Sequence, residues 1–400
     1  MPIISERSSD GLLTLPADPF LAELSGAATS RTPTIGRLGG LAHLDLAAGA
    51  DNLLGGCIGA VAGDRLLVLR EDSCHGFYDC AAAAFVADYA RVIGLDVMEM
   101  EVAAPDSGVG LPIPVIEAML DVDHALFFAR IGDQLRFDVM PGNCSKTISY
   151  AFDATCLGSR FGTTPYGVMS ELKTLVDKRV AASDEITITC PLGTELTGKP
   201  LGMEPDNAEG EVHVRRFPLT VFKPVPAAGF SGRVALSRWL VGSGSRYYEP
   251  YAARLEGTAF ALLEAGRIVD YEGPKALVDR VRDHHNRVGE MFGIDPSTVH
   301  SWHAGIHPQT FYPLPAMHNL ARWSALAFGS PRYLHFHVCG DQPPGEISWT
   351  VIDPTVLLDG EPAWDQGRLA LAETSEAKAI LERFPEATSL FNDPTMDIGI

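Results

Sequence analysis

A strand–helix–strand pattern between residues 65 and 102 limits the folds open to this chain. Residues 65–69 form a short apolar run, which predicts a buried strand. Residues 77–93 are alanine-rich with apolar side chains at helical spacing, and residues 97–102 alternate Val and Met with Glu, which predicts a second strand. A helix that joins two strands in this way makes a right-handed crossover between parallel strands. We therefore expect a parallel sheet with helices packed on it.

The alternation of helices and strands continues to about residue 200, where Gly and Pro become frequent and short strands predominate. The other predicted helices span residues 112–120, 165–182, 274–292 and 373–384. The other predicted strands span residues 125–128, 186–190, 232–240, 259–265, 267–271, 333–339 and 347–358. The expected fold class is α/β, with an N-terminal doubly wound α/β domain at 41–200 and a C-terminal β-rich α+β domain at 201–400. Residues 1–40 are rich in Ser, Thr, Pro and Gly and are expected to form an irregular N-terminal arm.

Charge and hydropathy exclude several classes of function. The chain has 31 Lys and Arg against 51 Asp and Glu, a net charge of −20, which disfavours binding to nucleic acid or to anionic membranes. No stretch is apolar for long enough to predict a transmembrane helix. The first residues lack the layout of a signal peptide, and the cysteines show no C-x-x-C spacing, so we expect a cytoplasmic protein. No G-x-G-x-x-G follows the first predicted strand, so nothing supports a dinucleotide site.

Histidines are concentrated in one region of the sequence. Eight of the twelve fall between residues 284 and 337. Histidine is the commonest metal ligand and the usual proton-transfer residue near neutral pH. The concentration therefore indicates this region as the place of a metal or catalytic site.

The first candidate segment is S-W-H-A-G-I-H-P at residues 301–308. His303 and His307 are four residues apart, which on a helix places two ligands on one face. Gly305 and Pro308 favour a loop instead, and no Glu follows His303 as it does in zinc peptidases. Either histidine is a candidate ligand or base, and the alternative is a polar turn with hydrogen-bonded imidazoles.

The second candidate segment is the predicted strand at residues 333–339. Its His335 and His337 are two residues apart and point to the same face of a strand. Such a pair with a nearby carboxylate is half of a zinc or iron site, and Asp341 or Glu346 can supply the carboxylate. The alternatives are a solvent-facing pair of histidines and an exposed Glu346 in a turn.

The order and spacing of several segments resemble one known family: 191–197 (PLGTELT), 217–224 (FPLTVFKP), 305–308 (GIHP), the strand at 335–340 and 358–360 (LDG). These segments are similar to those of the aminopeptidase T-like metallopeptidases and their relatives, the iron-dependent 2,5-dihydroxypyridine dioxygenases. The resemblance covers about residues 55–370. It implies an N-terminal α/β part, a C-terminal β-rich part that holds the metal, and a homodimer.

At several positions where the resemblance implies a metal ligand, this chain has a residue of a different type. Thr220 and Val221 stand near the positions of a glutamate pair, and Ser301 stands at another ligand position. The His-x-Asp pair of the family falls on Glu346 and Ser348. A two-metal peptidase needs several carboxylates, so the sequence disfavours that chemistry. It leaves open a mononuclear Fe(II) or Zn site made of two imidazoles and a carboxylate, or a site that binds no metal.

Three functions follow in order of preference. The first is a mononuclear, oxygenase-like metal enzyme acting on a small aromatic or peptide-derived substrate. The second is a non-catalytic peptide-binding protein of a biosynthetic pathway, and the third is an aminopeptidase. The expected partner is a small molecule or a short peptide. The candidate residues are, for catalysis, His303 and His307; for the metal, His335, His337, Glu346 and Asp341; and for the substrate, Trp302, Tyr312 and Trp349.

Overall fold

Strands dominate the second half of the chain and helices the first. The structure, a computed structural model, describes residues 44–104, 110–134, 142–203, 214–242, 248–341 and 344–400. The predicted arm at residues 1–40 lies outside these ranges. The described strands are β1 Arg65–Glu71, β2 Asp96–Val102, β3 His124–Phe128, β4 Ser145–Ser149, β5 Ile186–Thr189, β6 Glu195–Gly198, β7 Arg215–Phe217, β8 Val225–Pro226, β9 Phe230–Gly242, β10 Ala252–Glu264, β11 Arg267–Glu272, β12 Val299–Ala304, β13 Tyr333–Cys339, β14 Glu346–Ile352, β15 Thr355–Leu358 and β16 Glu361–Trp364.

The helices vary from single turns to five turns. A π-helical turn, Asn52–Ile58, follows the first of them. The described α-helices are α1 Leu46–Asp51, α2 Cys80–Val92, α3 Ile113–Leu120, α4 Ile131–Gln134, α5 Ala154–Gly158, α6 Arg160–Thr163, α7 Tyr166–Ala181, α8 Lys275–Phe292, α9 Leu320–Ala327, α10 Ser375–Leu381 and α11 Pro385–Asn392. Within the described ranges, no helix is long and apolar enough to cross a membrane.

The predicted parallel sheet is present. Among the described residues it has five strands in the order β2-β1-β3-β4-β7, and each neighbouring pair is parallel. Its central strands are apolar on both faces: Leu66 to Leu69 of β1 and Ala125 to Phe128 of β3 are buried. This burial is what a parallel sheet covered by helices requires. Asp79 caps the N-terminus of helix α2, since its carboxylate accepts a hydrogen bond from the backbone N–H of Ala82.

The second sheet is antiparallel and contains all 11 of the remaining described strands. Its order is β16-β15-β5-β6-β9-β14-β13-β12-β8, with the β10–β11 hairpin joined through β9. β5 and β6 therefore belong to this sheet, although they precede residue 200, and β7 belongs to the parallel sheet, although it follows residue 200. The structure is consistent with the predicted α/β class, with one parallel and one antiparallel sheet. The division into domains at residue 200 stays a prediction.

Three local expectations were wrong, each for a physical reason. The segment before Gly305 was expected to be a loop, but Val299–Ala304 is a strand that pairs with β13 and β8. The single strand expected at 347–358 is two strands, because Asp353 takes a positive φ of 51° and Pro354 follows it. The strand expected at 186–190 pairs antiparallel with β6 and β15 rather than in a parallel sheet.

Candidate metal centre

Three histidines from two neighbouring strands meet on one face of the antiparallel sheet. His303 of β12 lies directly opposite His335 of β13, and His337 is two residues further along β13. Side chains two residues apart, and those opposite each other on neighbouring strands, share a face. All three side chains are buried, with 2, 6 and 6% of their surface exposed. Pairing register alone therefore brings together residues that are more than 30 positions apart in the sequence.

The three imidazoles point the same ring nitrogen at a common centre. Nε2 of His303 lies 2.7 Å from Nε2 of His335 and 3.0 Å from Nε2 of His337. Within the described ranges, these histidines are the one group of three or more His, Cys, Asp or Glu side chains that is compact enough to share a metal ion. Three imidazole nitrogens and open further positions form a common catalytic metal site in proteins.

The opposite ring nitrogens fix the tautomers of two of these histidines. Nδ1 of His303 donates to the backbone carbonyl of Phe222 at 3.2 Å. Nδ1 of His337 contacts a carboxylate oxygen of Glu346, which is itself 2% exposed. A carbonyl and a carboxylate only accept hydrogen bonds, so Nδ1 carries the proton and Nε2 carries a lone pair in the neutral rings. Metal-ligating histidines are commonly oriented by such contacts.

Burial keeps His303 neutral. Its pKa is held well below the usual value, first by desolvation and then by the nearby His335, His337 and Arg216. Neutral imidazoles with converging lone pairs repel each other unless a proton or a cation lies between them. The second carboxylate oxygen of Glu346 is buried with no hydrogen-bond partner among the described residues. The donor set therefore fits a divalent cation.

The facing wall of the site comes from the parallel sheet. Asp133 follows β3 on helix α4, Tyr150 directly follows β4, and Arg216 is the middle residue of β7. These three side chains line one cavity together with the three histidines. The hydroxyl of Tyr150 donates to Asp133 at 2.6 Å, and Asp133 is buried. The site thus lies beyond the carboxyl ends of parallel strands, where α/β proteins commonly bind ligands.

Helix α9 and the residue after it complete the cavity. Ser324, Ala325 and Phe328 line it, and the Phe328 ring lies 5.5 Å from the ring of Tyr150 and 6.0 Å from that of His335. The cavity measures about 50 Å³. A single water occupies roughly 10–15 Å³ on the same measure, so the cavity holds the equivalent of roughly three to five water molecules. Only a small group reaches the centre.

The structure separates the other predicted ligands from the centre. His307 is fully buried outside the trio, where Nδ1 accepts from the backbone N–H of Gln309 and the ring lies 4.9 Å from that of Phe161. It is not on a helix with His303, because β12 ends at Ala304. Glu346 contacts His337 rather than joining the group of three, and Asp341 is exposed. His303, expected as a catalytic residue, lies among the candidate metal ligands.

The residues predicted to contact substrate do not line this cavity. Trp302 pairs with Phe336, and Phe336 pairs with Trp349, so both tryptophans lie on the sheet face opposite the histidines. Trp349 donates from Nε1 to Nε2 of His285 on helix α8 at 3.0 Å. Tyr312 is buried elsewhere, with its hydroxyl directed to the carbonyl of Asn319. Their assignment as substrate contacts stays a prediction without support from this geometry.

The cavity residues that were not predicted from the sequence include Asp133, Tyr150 and Arg216. One signal was available, because residues after parallel strands gather at one edge of a sheet. β3 was predicted, but β4 and the three-residue β7 were not. Because those strands were not predicted, the sequence did not indicate that Tyr150 and Arg216 lie at this edge of the sheet.

Solved structures with similar folds exist, although no protein-family model and no curated protein matches the sequence. One is 2,5-dihydroxypyridine dioxygenase from Pseudomonas putida KT2440, with a TM-score of 0.52 and 12% identity over 83% of this chain and 97% of that chain. Another is wild-type AmpT from Thermus thermophilus, with a TM-score of 0.44 and 13% identity over 81% of this chain and 98% of that chain. The first likeness confirms, at the level of the fold, the resemblance inferred from the sequence.

Proposed function

We propose that this chain is a mononuclear metal-dependent enzyme of the oxygenase type, with His303, His335 and His337 as its metal ligands. The observation that carries the proposal is the convergence of three Nε2 atoms, two of them at 2.7 and 3.0 Å from the third. Two of these rings have the other nitrogen committed to a hydrogen-bond acceptor, which leaves Nε2 available to a metal. Fe(II) is the proposed ion.

The residues around the trio have distinct roles in this proposal. The Phe222 carbonyl and the Glu346 carboxylate hold two imidazoles in the ligating tautomer and orientation. Phe328 and Ala325 restrict water at the centre from the side of helix α9. A bound Fe(II) would supply open positions for oxygen and for the substrate, together with redox chemistry. The substrate is proposed to be a small molecule whose reacting end fits the cavity of about 50 Å³.

The choice of oxygenase chemistry is supported by one fold likeness. The similar structure from Pseudomonas putida is named as a dioxygenase, and its fold covers most of this chain. The proposed ligand set departs from the expected two imidazoles and one carboxylate, because a third imidazole takes the place of the carboxylate.

A zinc enzyme that activates water is the second candidate. Three neutral imidazoles leave the full charge of the ion uncompensated, and this favours ionisation of a water bound to zinc near neutral pH. The contact between Glu346 and His337 is also the arrangement seen in carboxylate–histidine–zinc sites. This candidate has the same ligands as the first and differs in the ion and the reaction.

Metal loading and nitric oxide binding separate these candidates. The purified protein is reconstituted anaerobically with Fe(II) or with zinc, and the Fe(II) form is exposed to nitric oxide and examined by electron paramagnetic resonance. The proposal predicts a high-spin signal in the wild type and its loss in His335→Ala. Stable loading by zinc in preference to Fe(II), with no signal from the Fe(II) form, would support the zinc candidate. Tight peptide binding by a protein that takes up neither ion would support the peptide-binding alternative.

A further inference from the structure

We infer that a second cavity, between strand β11 and helix α8, binds a small neutral molecule that carries amide groups. Its principal donor is the hydroxyl of Tyr271, which is linked through buried His285 to Trp349 on the sheet face opposite the histidine trio. None of the three proposed metal ligands lines this cavity, so the inference goes beyond the proposed function and does not rest on it.

The cavity is larger than the one at the histidine trio. It measures about 190 Å³ and is bounded by β11, by helix α8 and by the turn before β12. It opens to the surface, since Val269, Asp270 and Asn286 in its wall are exposed. At roughly 10–15 Å³ for one water molecule on the same measure, it has room for roughly a dozen non-hydrogen atoms. This is the size of a small organic molecule.

A chain of hydrogen bonds that all run in one direction ends at this cavity. Nε1 of Trp349 donates to Nε2 of His285 at 3.0 Å, and an indole N–H can only donate. Burial lowers the pKa of His285 from 6.5 to about 3, so the ring is neutral and its one proton lies on Nδ1. The backbone of Pro296, which offers only a carbonyl, also hydrogen-bonds to this ring, in agreement with a donor at Nδ1. Nδ1 therefore donates to the hydroxyl oxygen of Tyr271, 2.9 Å away.

The direction of this chain leaves the hydroxyl proton of Tyr271 for a ligand. Since Nδ1 of His285 already carries a proton, it cannot accept a second from Tyr271. Burial raises the pKa of Tyr271 above its usual value, so the hydroxyl keeps its proton near neutral pH. No group in the described part of the chain accepts it. Because hydrogen bonds in a chain strengthen one another, Tyr271 is a strong donor to an oxygen atom in the cavity.

Asp270 supplies the matching acceptor. Oδ1 of its carboxylate accepts from Arg282 at 2.8 Å and from the backbone N–H of Tyr271 at 2.8 Å. Its Oδ2 has no hydrogen-bond partner within the described ranges. Arg282 lies 5.5 Å from the centre of the Tyr271 ring, so it holds this carboxylate beside the tyrosine and offsets its charge. A donor and an acceptor in a wall without net charge match the C=O and N–H groups of a neutral amide.

The rest of the wall fits an aliphatic substituent. Ile268, Val269 and Pro296 form its apolar part. Val269 lies at a β-bulge, because the register with β10 shifts there and leaves Val269 without a partner on that strand. Bulges redirect side chains and are frequent beside binding sites. Val269 is 51% exposed, so a ligand that covers it gains hydrophobic burial. The inferred ligand is therefore an amide with a small aliphatic group, as in an acylated amino-acid amide.

N-acetyl-L-leucinamide tests the inference on the full-length protein. NMR follows the indole N–H groups of the five tryptophans, and Trp349→Phe identifies the resonance of Trp349. We expect the ligand to shift this resonance saturably, because the hydrogen bonds from Trp349 to the cavity are coupled. Tyr271→Phe is expected to weaken binding about two- to tenfold, as for the loss of one neutral hydrogen bond. Tyr89→Phe is the matched control and is expected to bind like the wild type, since its hydroxyl donates to Asp51 outside the cavity.

A second ligand tests the inference without any variant. N-acetyl-L-leucine has the same aliphatic group but is an anion at pH 7, so we expect it to bind more weakly beside the free oxygen of Asp270. Equal affinity of the wild type and Tyr271→Phe for the amide would overturn the inference. Tighter binding of the anion than of the amide would do the same, and so would the absence of any saturable shift. These results do not depend on metal content, so failure here leaves the proposed function intact.

Discussion

His303 and His335 are direct cross-strand partners, and their Nε2 atoms lie 2.7 Å apart in the interior of the protein. Two neutral imidazoles with their lone pairs at this separation are unfavourable unless a proton or a cation lies between them. His337 brings a third Nε2 to the same point, and Glu346 orients it from behind. This relationship links the pairing of two strands to the chemistry of the site.

Glu346→Gln is expected to weaken the affinity for the metal about 10- to 100-fold, because the carboxylate that orients His337 is replaced by a neutral amide. Competition with a chromophoric chelator measures the affinity. Asp341→Asn is the control, since Asp341 is exposed and lies outside the group of three histidines. An effect of Asp341→Asn as large as that of Glu346→Gln would contradict the assigned role of Glu346.

His307→Ala is expected to leave metal binding intact and to lower the free energy of unfolding by about 2–5 kcal/mol. The side chain is fully buried against Phe161, so truncation opens a cavity in the core. Urea unfolding and metal analysis of the same samples measure both effects. His303→Ala is the comparison, because it removes a proposed ligand. Loss of metal from His307→Ala would place this residue in the site after all.

Trp349→Phe is expected to cost about 1–3 kcal/mol of stability without changing the affinity for metal. The substitution leaves Nε2 of buried His285 without its donor, on the sheet face opposite the histidine trio. A double-mutant cycle with His285→Phe checks the cause, because removing both partners is expected to cost less than the sum of the single changes. A lower affinity for metal would instead contradict the placement of Trp349 on the opposite face of the sheet.

Stability is expected to fall as the pH decreases below about 6.5, with a contribution from His285. Burial lowers its pKa from 6.5 to about 3, with a smaller effect of His284. Between these values the unfolded chain takes up a proton at this residue and the folded protein does not, so acid favours unfolding. The slope is about 1.4 kcal/mol per pH unit for one such group. Urea unfolding of His285→Gln between pH 6 and pH 4.5 is expected to show a slope smaller by that amount, and an unchanged slope would count against the assignment.

Many helices and strands of the fold were predictable because they depend on local patterns in the sequence. The strand expected at 333–339 is observed as Tyr333–Cys339, and the helix expected at 274–292 is observed as Lys275–Phe292. The helix buries one apolar face, whereas all seven residues of the strand are buried, so its short apolar run defines it. The location of His335 and His337 on one face follows from the two-residue period of a strand.

The assembly of the site was not predictable, because it depends on pairing between distant segments. β12 has the polar sequence V-H-S-W-H-A and precedes Gly305, so its strand character depends on β13 and β8 beside it. Its register with β13 decides that His303, and not His307, joins His335. Arg216 enters the cavity only because the three-residue β7 pairs with β4, in which its partner Ile148 lies 68 residues earlier.

Metal analysis of protein purified without chelator tests the central claim most directly. The wild type is compared with the variants His303→Ala, His335→Ala and His337→Ala. The account predicts close to one divalent ion per wild-type chain after loading, and below about 0.1 per chain in each variant, because every variant removes one of three ligands. His307→Ala, treated in parallel, is expected to retain the wild-type content. A wild type that holds little metal, or variants that hold as much as the wild type, would contradict the three-histidine centre.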